Sequence, residues 1–240
     1  MAQREQWGMG GISCKGKGAR RSAAKGEATR SELTRERLIA AGLALFGSHG
    51  FEGVSTRALA ARARANQAAI PYHFDSKEGL YHAVARRIVE MVRPGVEPVL
   101  LDIQRRHQEG VTDLSVARED AALLILTLLN KIVNQPHKYE IGHFMMREQM
   151  QPSAAFDILY ESLIQPLHDT LAMLVGALRD RPRDDEEVII EAHTLFGQAV
   201  IFGVHRTTLL RRLDIDSLDQ QHLSTVNAVV RALVYRQFPL

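Results

Sequence analysis

The sequence predicts an all-α fold, with an N-terminal three-helix, helix-turn-helix head followed by a larger helical body. Three observations carry that prediction. Apolar residues recur at helical spacing through every long segment after residue 29. No Asn-Gly or Asp-Gly turn separates alternating apolar and polar runs, so hairpin signals are missing. The breaks between periodic segments fall at Pro94, Gly110, Pro136, Pro152 and the stretches 181–184 and 213–216, where helices stop most readily.

Taken in order, residues 1–28 carry Gly8, Gly10, Gly11, Gly16, Gly18 and Gly26 among Lys, Arg and Ser, with few large apolar side chains. Such a segment buries too little surface to offset its ordering entropy, so it is expected to be a disordered basic arm. It either follows a nucleic-acid backbone or is an extension without a role. From Thr29, with Glu32 three residues on, a capping box opens the first helix, which carries Leu38, Ala41, Leu45 and Phe46 and closes at Gly50 and Phe51. Ser55 caps a second helix through Leu59 to Ala63, and Asn66 caps a third beginning at Gln67. Ser76 opens a fourth with Leu80, Val84, Ile88 and Val92, ended by Pro94. Further helices are expected at 96–109, 116–134, 137–150, 154–179, 184–207 and 217–238. The organisation predicted is an arm (1–28), a helix-turn-helix domain (29–76) and a helical body (77–240).

Composition excludes several classes. The 240 residues are 45% hydrophobic and 24% charged, which is ordinary for a globular chain and unlike a collagenous or wholly disordered one. No apolar run reaches the ~18 residues a membrane span needs; the best candidate, Ala121 to Leu129, stops at Asn130. Cys14 is the single cysteine, so no internal disulfide framework exists. The N-terminus has no apolar core segment of the secretory kind, and a reducing cytoplasm is the expected compartment. Charge is uneven: residues 1–87 hold 15 Lys+Arg against 7 Asp+Glu, whereas 88–240 hold 15 against 21. A basic first third on an acidic remainder points to one part meeting a polyanion; a solvated tail plus chance clustering gives the same count.

Two short helices joined by a tight turn behind a longer one place the second of the pair in the DNA major groove, N-terminus first. That helix presents Asn66, Gln67, Ala68, Tyr72 and His73. Asn and Gln can read adenine bidentately, while Ala or Tyr can touch a thymine methyl or a phosphate. Ser55, Thr56 and Arg57 begin the preceding helix, where amides and hydroxyls favour phosphate, and Lys77 is a second phosphate anchor at the start of the fourth.

These residues also carry a resemblance. Arg37-Leu38-Ile39-Ala40-Ala41, Leu45-Phe46, His49-Gly50-Phe51, Ser55-Thr56-Arg57-Ala58-Leu59-Ala60 and Tyr72-His73-Phe74-Asp75-Ser76-Lys77-Glu78-Gly79-Leu80-Tyr81 resemble, in order and register, the N-terminal domain of TetR-type repressors. The likeness covers about 50 residues from Thr34 to Val84. Asn66-Gln67-Ala68-Ala69-Ile70-Pro71-Tyr72-His73-Phe74 resembles the recognition helix of the CecR-like subgroup, as do Met145-Met146-Arg147-Glu148 and 164–169 its C-terminal half. The resemblance implies a homodimer joined by the last two long helices, 184–207 and 217–238. It also implies a double-stranded, palindromic operator and a small-molecule effector that enters the body and moves the heads apart. Two residues depart from the pattern. Arg64 stands where the family turn has Gly, at a cost of roughly 1 kcal/mol if φ is positive. Pro71 falls inside the recognition helix, where an interior proline costs on the order of 3 kcal/mol.

Other chemistry finds no pattern. Glu140-Ile141-Gly142-His143 is a Glu-x-x-His step without the second copy that helical di-metal sites use. Neither a His-Glu-x-x-His helix, a phosphate-cradling glycine loop nor a Gly-x-Ser-x-Gly elbow is present, so neither a metal, a cofactor nor an enzyme activity is expected. The expected effector wall comprises Phe144, Met145, Met146, Arg147, Phe196, Gln198 and Phe202; plain core packing is the other reading of its apolar members. His193 and His205 are expected at an interface or in the core. The function predicted is a ligand-responsive repressor, against a DNA-binding regulator without an effector, a body that binds another protein, and, last, a helical enzyme.

Overall fold

A computed structural model describes residues 16–110 and 113–240. Among them the regular elements are helical: α1 (Gly16–His49), α2 (Thr56–Ala63), α3 (Ala69–Phe74), α4 (Lys77–Val92), α5 (Glu97–Gln108), α6 (Leu114–Asn134), α7 (Lys138–Met150), α8 (Ala154–Leu159), α9 (Gln165–Arg179), α10 (Glu186–Val204), α11 (Arg206–Leu213) and α12 (Gln220–Gln237). A short 3₁₀ turn at Arg93–Gly95 follows α4, and one π-helical turn, Tyr160–Ile164, joins α8 to α9.

The caps expected at Ser55, Ser76 and Gly50 form, whereas Asn66 does not cap the third helix, whose N-cap position is Ala68. Ser55 Oγ accepts from the Ala58 N–H at 3.1 Å and Ser76 Oγ from the Gly79 N–H at 3.0 Å. Gly50, at φ +75°, ends α1 in the left-handed region, and its N–H donates to the Phe46 carbonyl at 2.8 Å. Three expectations need correction. Residues 1–15 of the predicted arm lie outside the described residues, but 16–28 continue α1 as helix, so Thr29 and Glu32 sit within it rather than at its start. The Ala, Arg, Lys and Glu of that stretch are strong helix formers and outweigh its glycines. The third helix begins at Ala69, not Gln67, because Gln67 and Ala68 form a turn ahead of it, closed by the Ala69 N–H donating to the Asn66 carbonyl at 2.9 Å. The helix expected over 184–207 stops at Val204 and restarts as α11 at Arg206, just past Gly203, whose missing Cβ lets the chain lie close on Ile132.

The buried core divides in two. One part gathers Leu38, Phe46, Leu59, Ile70, Phe74, Leu80 and Val84 of the first four helices together with Ile141 and Phe144 of α7 and Leu159 of α8. The other packs α5, α6, α9, α10 and α12 around Ile103, Leu124, Ile125, Leu129, Leu171, Leu195 and Val234. The boundary expected at residue 76 therefore does not coincide with a gap in packing, since α4 belongs to the head's core and α7 and α8 return to it.

α10 is long enough and apolar enough to cross a membrane, although no unbroken apolar run in the sequence signals it. Glu191, His193, Thr194 and Gln198 interrupt it. One side buries Val188, Ala192, Leu195 and Ala199, and the other exposes Ile189, Ile190, Ile201 and Val204. α12 repeats the arrangement, with Leu223, Val230 and Val234 inside and Val229 and Leu233 outside. Burial in a single chain leaves both helices with an uncovered apolar side.

Candidate nucleic-acid interface

The turn between α2 and α3 is set by Arg64, whose φ and ψ of 51° and 45° are left-handed. Its N–H donates to the Ala61 carbonyl at 3.1 Å, and that of Ala65 to Ala60 at 2.9 Å, which together satisfy the end of α2. The positive φ inferred from the family's glycine is therefore real, and an arginine occupies it. Pro71 sits where its missing donor matters least. As the third residue of α3 it lies among the first-turn positions that have no intrahelical acceptor to reach. The Gln67 carbonyl, which a donor at 71 would have met, accepts from Ile70 at 3.2 Å instead.

α3 turns Ile70 and Phe74 inward and leaves Asn66, Gln67, Ala68, Pro71 and Tyr72 outside. Tyr72 is 78% exposed and its ring meets His73 edge-on at 4.8 Å. Ser55 and Arg57 are exposed at the start of α2, with Thr56 half-buried beside them. A concavity of about 460 Å³ runs between the two, lined by Thr56, Gln67, Ala68, Pro71, Ser76 and Lys77. Each predicted base reader has one half of its amide occupied. Asn66 Oδ1 accepts from the Ala68 N–H at 2.9 Å, and Gln67 Nε2 donates to Thr56 Oγ1 at 2.8 Å. Bidentate reading of adenine needs both halves, so either residue must give up its internal bond to make it.

Lys77 does something that spacing did not show. Its ammonium donates to the carbonyls of Phe51 at 2.9 Å and Val54 at 3.1 Å and lies 4.0 Å from the centre of the Phe51 ring. Lys77 thus holds the α1–α2 connection in place, with its remaining N–H available to a phosphate.

The predicted effector wall is not gathered into one site. Phe144 is fully buried in the head's core, its ring 4.6 Å from Tyr81, with Met145 packed at the same core's edge. Phe196 and Phe202 pack at the edge of the other core, Phe196 4.7 Å from the ring of His168. Gln198 is half-buried on α10, and its Oε1 is buried with no hydrogen-bond partner. Arg147 reaches α1: Nη2 donates to the Ser48 carbonyl at 3.1 Å and Nε to Gly47 at 3.4 Å. Met146 and Arg147 line an open cleft of about 480 Å³ between head and body, with Phe51, Tyr81, Glu148 and Met150. His193 is exposed on α10, its ring 5.3 Å from His168, and His205 is exposed between α10 and α11.

Sequence reasoning missed the network at that cleft. Glu148, 3% exposed, accepts from the Tyr81 hydroxyl at 2.6 Å through Oε1 and from the Ser153 N–H and hydroxyl at 3.1 and 2.8 Å through Oε2. Burial, then the bond to Glu148, pushes the Tyr81 hydroxyl above the ordinary phenol range. The partners stand 67 residues apart, and the only sequence signal was an acid embedded in the Met145–Glu148 block.

Two family descriptions match the chain: "Bacterial regulatory proteins, tetR family" over residues 38–84 and "HTH-type transcriptional dual regulator CecR, C-terminal domain" over 117–237. The HTH-type transcriptional dual regulator CecR of Shigella flexneri is 33% identical over 196 residues, covering 81% of this chain and 86% of the relative. Among solved structures, AibR in complex with isovaleryl coenzyme A and operator DNA matches with a TM-score of 0.59 at 14% identity, over 86% of this chain and 98% of that one. A TetR-like transcriptional regulator from Rhodococcus sp. RHA1 also matches at 0.59, with 16% identity over 85% and 94%. At such identities these two structures speak for the fold.

Proposed function

The chain belongs to the TetR family of bacterial transcriptional regulators, on its CecR branch, and from that premise we propose that it acts in the cytoplasm as a homodimeric repressor released from a palindromic operator by a small molecule. It is a DNA-binding regulator and not an enzyme. The observation that carries the proposed contact is the outer face of α3, where an almost free Tyr72 stands beside Gln67 and Ala68 above a concavity edged by Thr56 and Lys77. In this reading α3 enters the major groove, Asn66, Gln67, Ala68, Tyr72 and His73 meet base edges and sugar-phosphate, and Ser55, Thr56, Arg57 and Lys77 hold the backbone.

The uncovered sides of α10 and α12 support the dimer: Ile189, Ile190, Ile201, Val204, Val229 and Leu233 form a patch that a second copy would cover. For the effector, AibR offers a precedent of the same fold with a bound acyl-coenzyme A. Here the unpartnered Gln198 Oε1 supplies a polar group awaiting a donor, with Phe196 and Phe202 as apolar wall. A regulator without an effector is the second reading, favoured by the open character of the cleft at Arg147.

The test is a mobility shift on fragments upstream of the coding region across a salt series. A tight shift on one fragment in competitor DNA is expected, weakened by roughly 1–3 kcal/mol in Tyr72→Ala at unchanged thermal stability. Sedimentation should show a dimer that Ile201→Asp with Leu233→Asp splits. Weak binding to every fragment that vanishes as salt rises would refute sequence-specific regulation.

A further inference from the structure

Adjacent residues at the end of α7 grip two different parts of the head. Arg147 donates to Gly47 and Ser48, which are among the carbonyls at the end of α1 that have no partner within their own helix. A cation there also complements the helix dipole. One residue on, the Glu148 carboxylate joins α4 through Tyr81 and α8 through Ser153, which in turn caps α8 by accepting from the Ala155 N–H at 3.1 Å. The fit around these groups is close. A Cβ on Gly47 would lie 2.8 Å from the Glu140 carbonyl, and one on Gly50 would lie 3.0 Å from Arg147 Nη1. Tyr81 is wedged between Phe46 at 4.9 Å and Phe144 at 4.6 Å.

A buried carboxylate is a poor source of net stability, because removal from water offsets most of what its bonds return. Apolar residues of similar size would hold α4, α7 and α8 together about as firmly. Directional bonds differ from apolar packing in one respect: they define an angle. The end of α1 leads through six residues into α2, and α2 with α3 forms the reading unit.

We propose that Arg147 and Glu148 are positioning residues for DNA reading: they hold the end of α1 and the start of α4 at one setting on α7 and α8 and thereby select the half-site spacing that the protein accepts. The inference rests on the dimeric operator reading above. Loss of either grip leaves the head attached by its apolar core but free to sample several settings, and only a fraction of molecules then matches a given operator.

The experiment uses the full chain and a panel of palindromes built from the half-site selected by the wild type, with the spacer changed by up to two base pairs either way. Arg147→Met, Glu148→Gln and Tyr81→Phe are compared with Leu171→Ala, which weakens the other core. The wild type should show one preferred spacing. Arg147→Met and Glu148→Gln should bind that spacing about tenfold more weakly and flatten or move the optimum, with affinity for an isolated half-site within about twofold. If Glu148→Gln does not fold, Tyr81→Phe removes a single hydroxyl from the same network and must show the change in smaller degree. Variants that keep the wild-type optimum and lose only thermal stability, as Leu171→Ala should, overturn the inference alone. A wild type indifferent to spacing overturns the dimeric reading and the inference with it.

Discussion

Arg64→Gly should stabilise the protein. Arg64 holds φ 51° and ψ 45°, a conformation that costs an L-residue roughly 1–2 kcal/mol through contact of Cβ with the following carbonyl. Glycine avoids that contact but has more freedom to lose on folding, which returns roughly 0.4–1 kcal/mol. The net expectation is a gain of about 0.5–1 kcal/mol, since the exposed side chain leaves the hydrogen bonds of the turn to the backbone. For a chain of this length that corresponds to roughly 1–4 °C in Tm. Urea denaturation at fixed protein concentration, with Arg64→Ala and Arg64→Asn in parallel, separates backbone from side chain. Asn tolerates the left-handed region and should gain part of the effect, while Ala keeps the strain and should gain none. If Ala stabilises as much as Gly, the gain comes from deleting the guanidinium, and the backbone argument is refuted.

Pro71→Ala should change stability by less than about 1 kcal/mol, because Pro71 occupies the first turn of α3; a gain near 3 kcal/mol in urea denaturation would show that the proline distorts the helix. Lys77→Met should lower stability by about 1–2 kcal/mol in the same assay, in addition to any loss of operator affinity, since two carbonyls lose a charged donor; a variant that loses affinity alone would make Lys77 purely a phosphate contact. His168 carries a pKa lowered by burial first and by His193 second, with Asp169 opposing. The unfolded chain therefore takes up a proton before the folded one does, so this contribution is complete above about pH 6.5 and is lost as pH falls below it. His168→Gln should flatten the slope of Tm against pH between about 6.5 and 5, and an unchanged slope would assign it elsewhere.

Helix positions, caps and the left-handed turn were legible because each depends on residues within a few places of one another: Ser55 with Ala58, Ser76 with Gly79, Gly50 with Phe46. The outer face of α3 was legible for the same reason, since a short helix with Ile70 and Phe74 inside must show Tyr72 outside. The roles of Lys77, Arg147 and Glu148 were not. A lysine at a helix start reads as a solvent-facing cation until the Phe51 and Val54 carbonyls arrive from 26 and 23 residues earlier. Arg147 reads as a pocket wall until α1, about 100 residues away, is laid against it. Phe144 likewise carries no mark that distinguishes a ligand contact from the centre of a core. Such assignments depend on which distant segments meet, and periodicity within one helix does not encode that.

The order in which the chain visits its two cores governs how it can be made and cut. α1 to α4 leave the ribosome first, yet their packing lacks Ile141, Phe144, Leu159 and Leu163 until α7, α8 and the π turn have followed. At about 5–20 residues per second, the reading head waits several seconds with an apolar side unfilled while α5 and α6 of the other core emerge. A gene fragment ending after α4 would encode the complete helix-turn-helix with part of its foundation missing. Grafting this head onto another regulator therefore calls for α7 and α8 to travel with it.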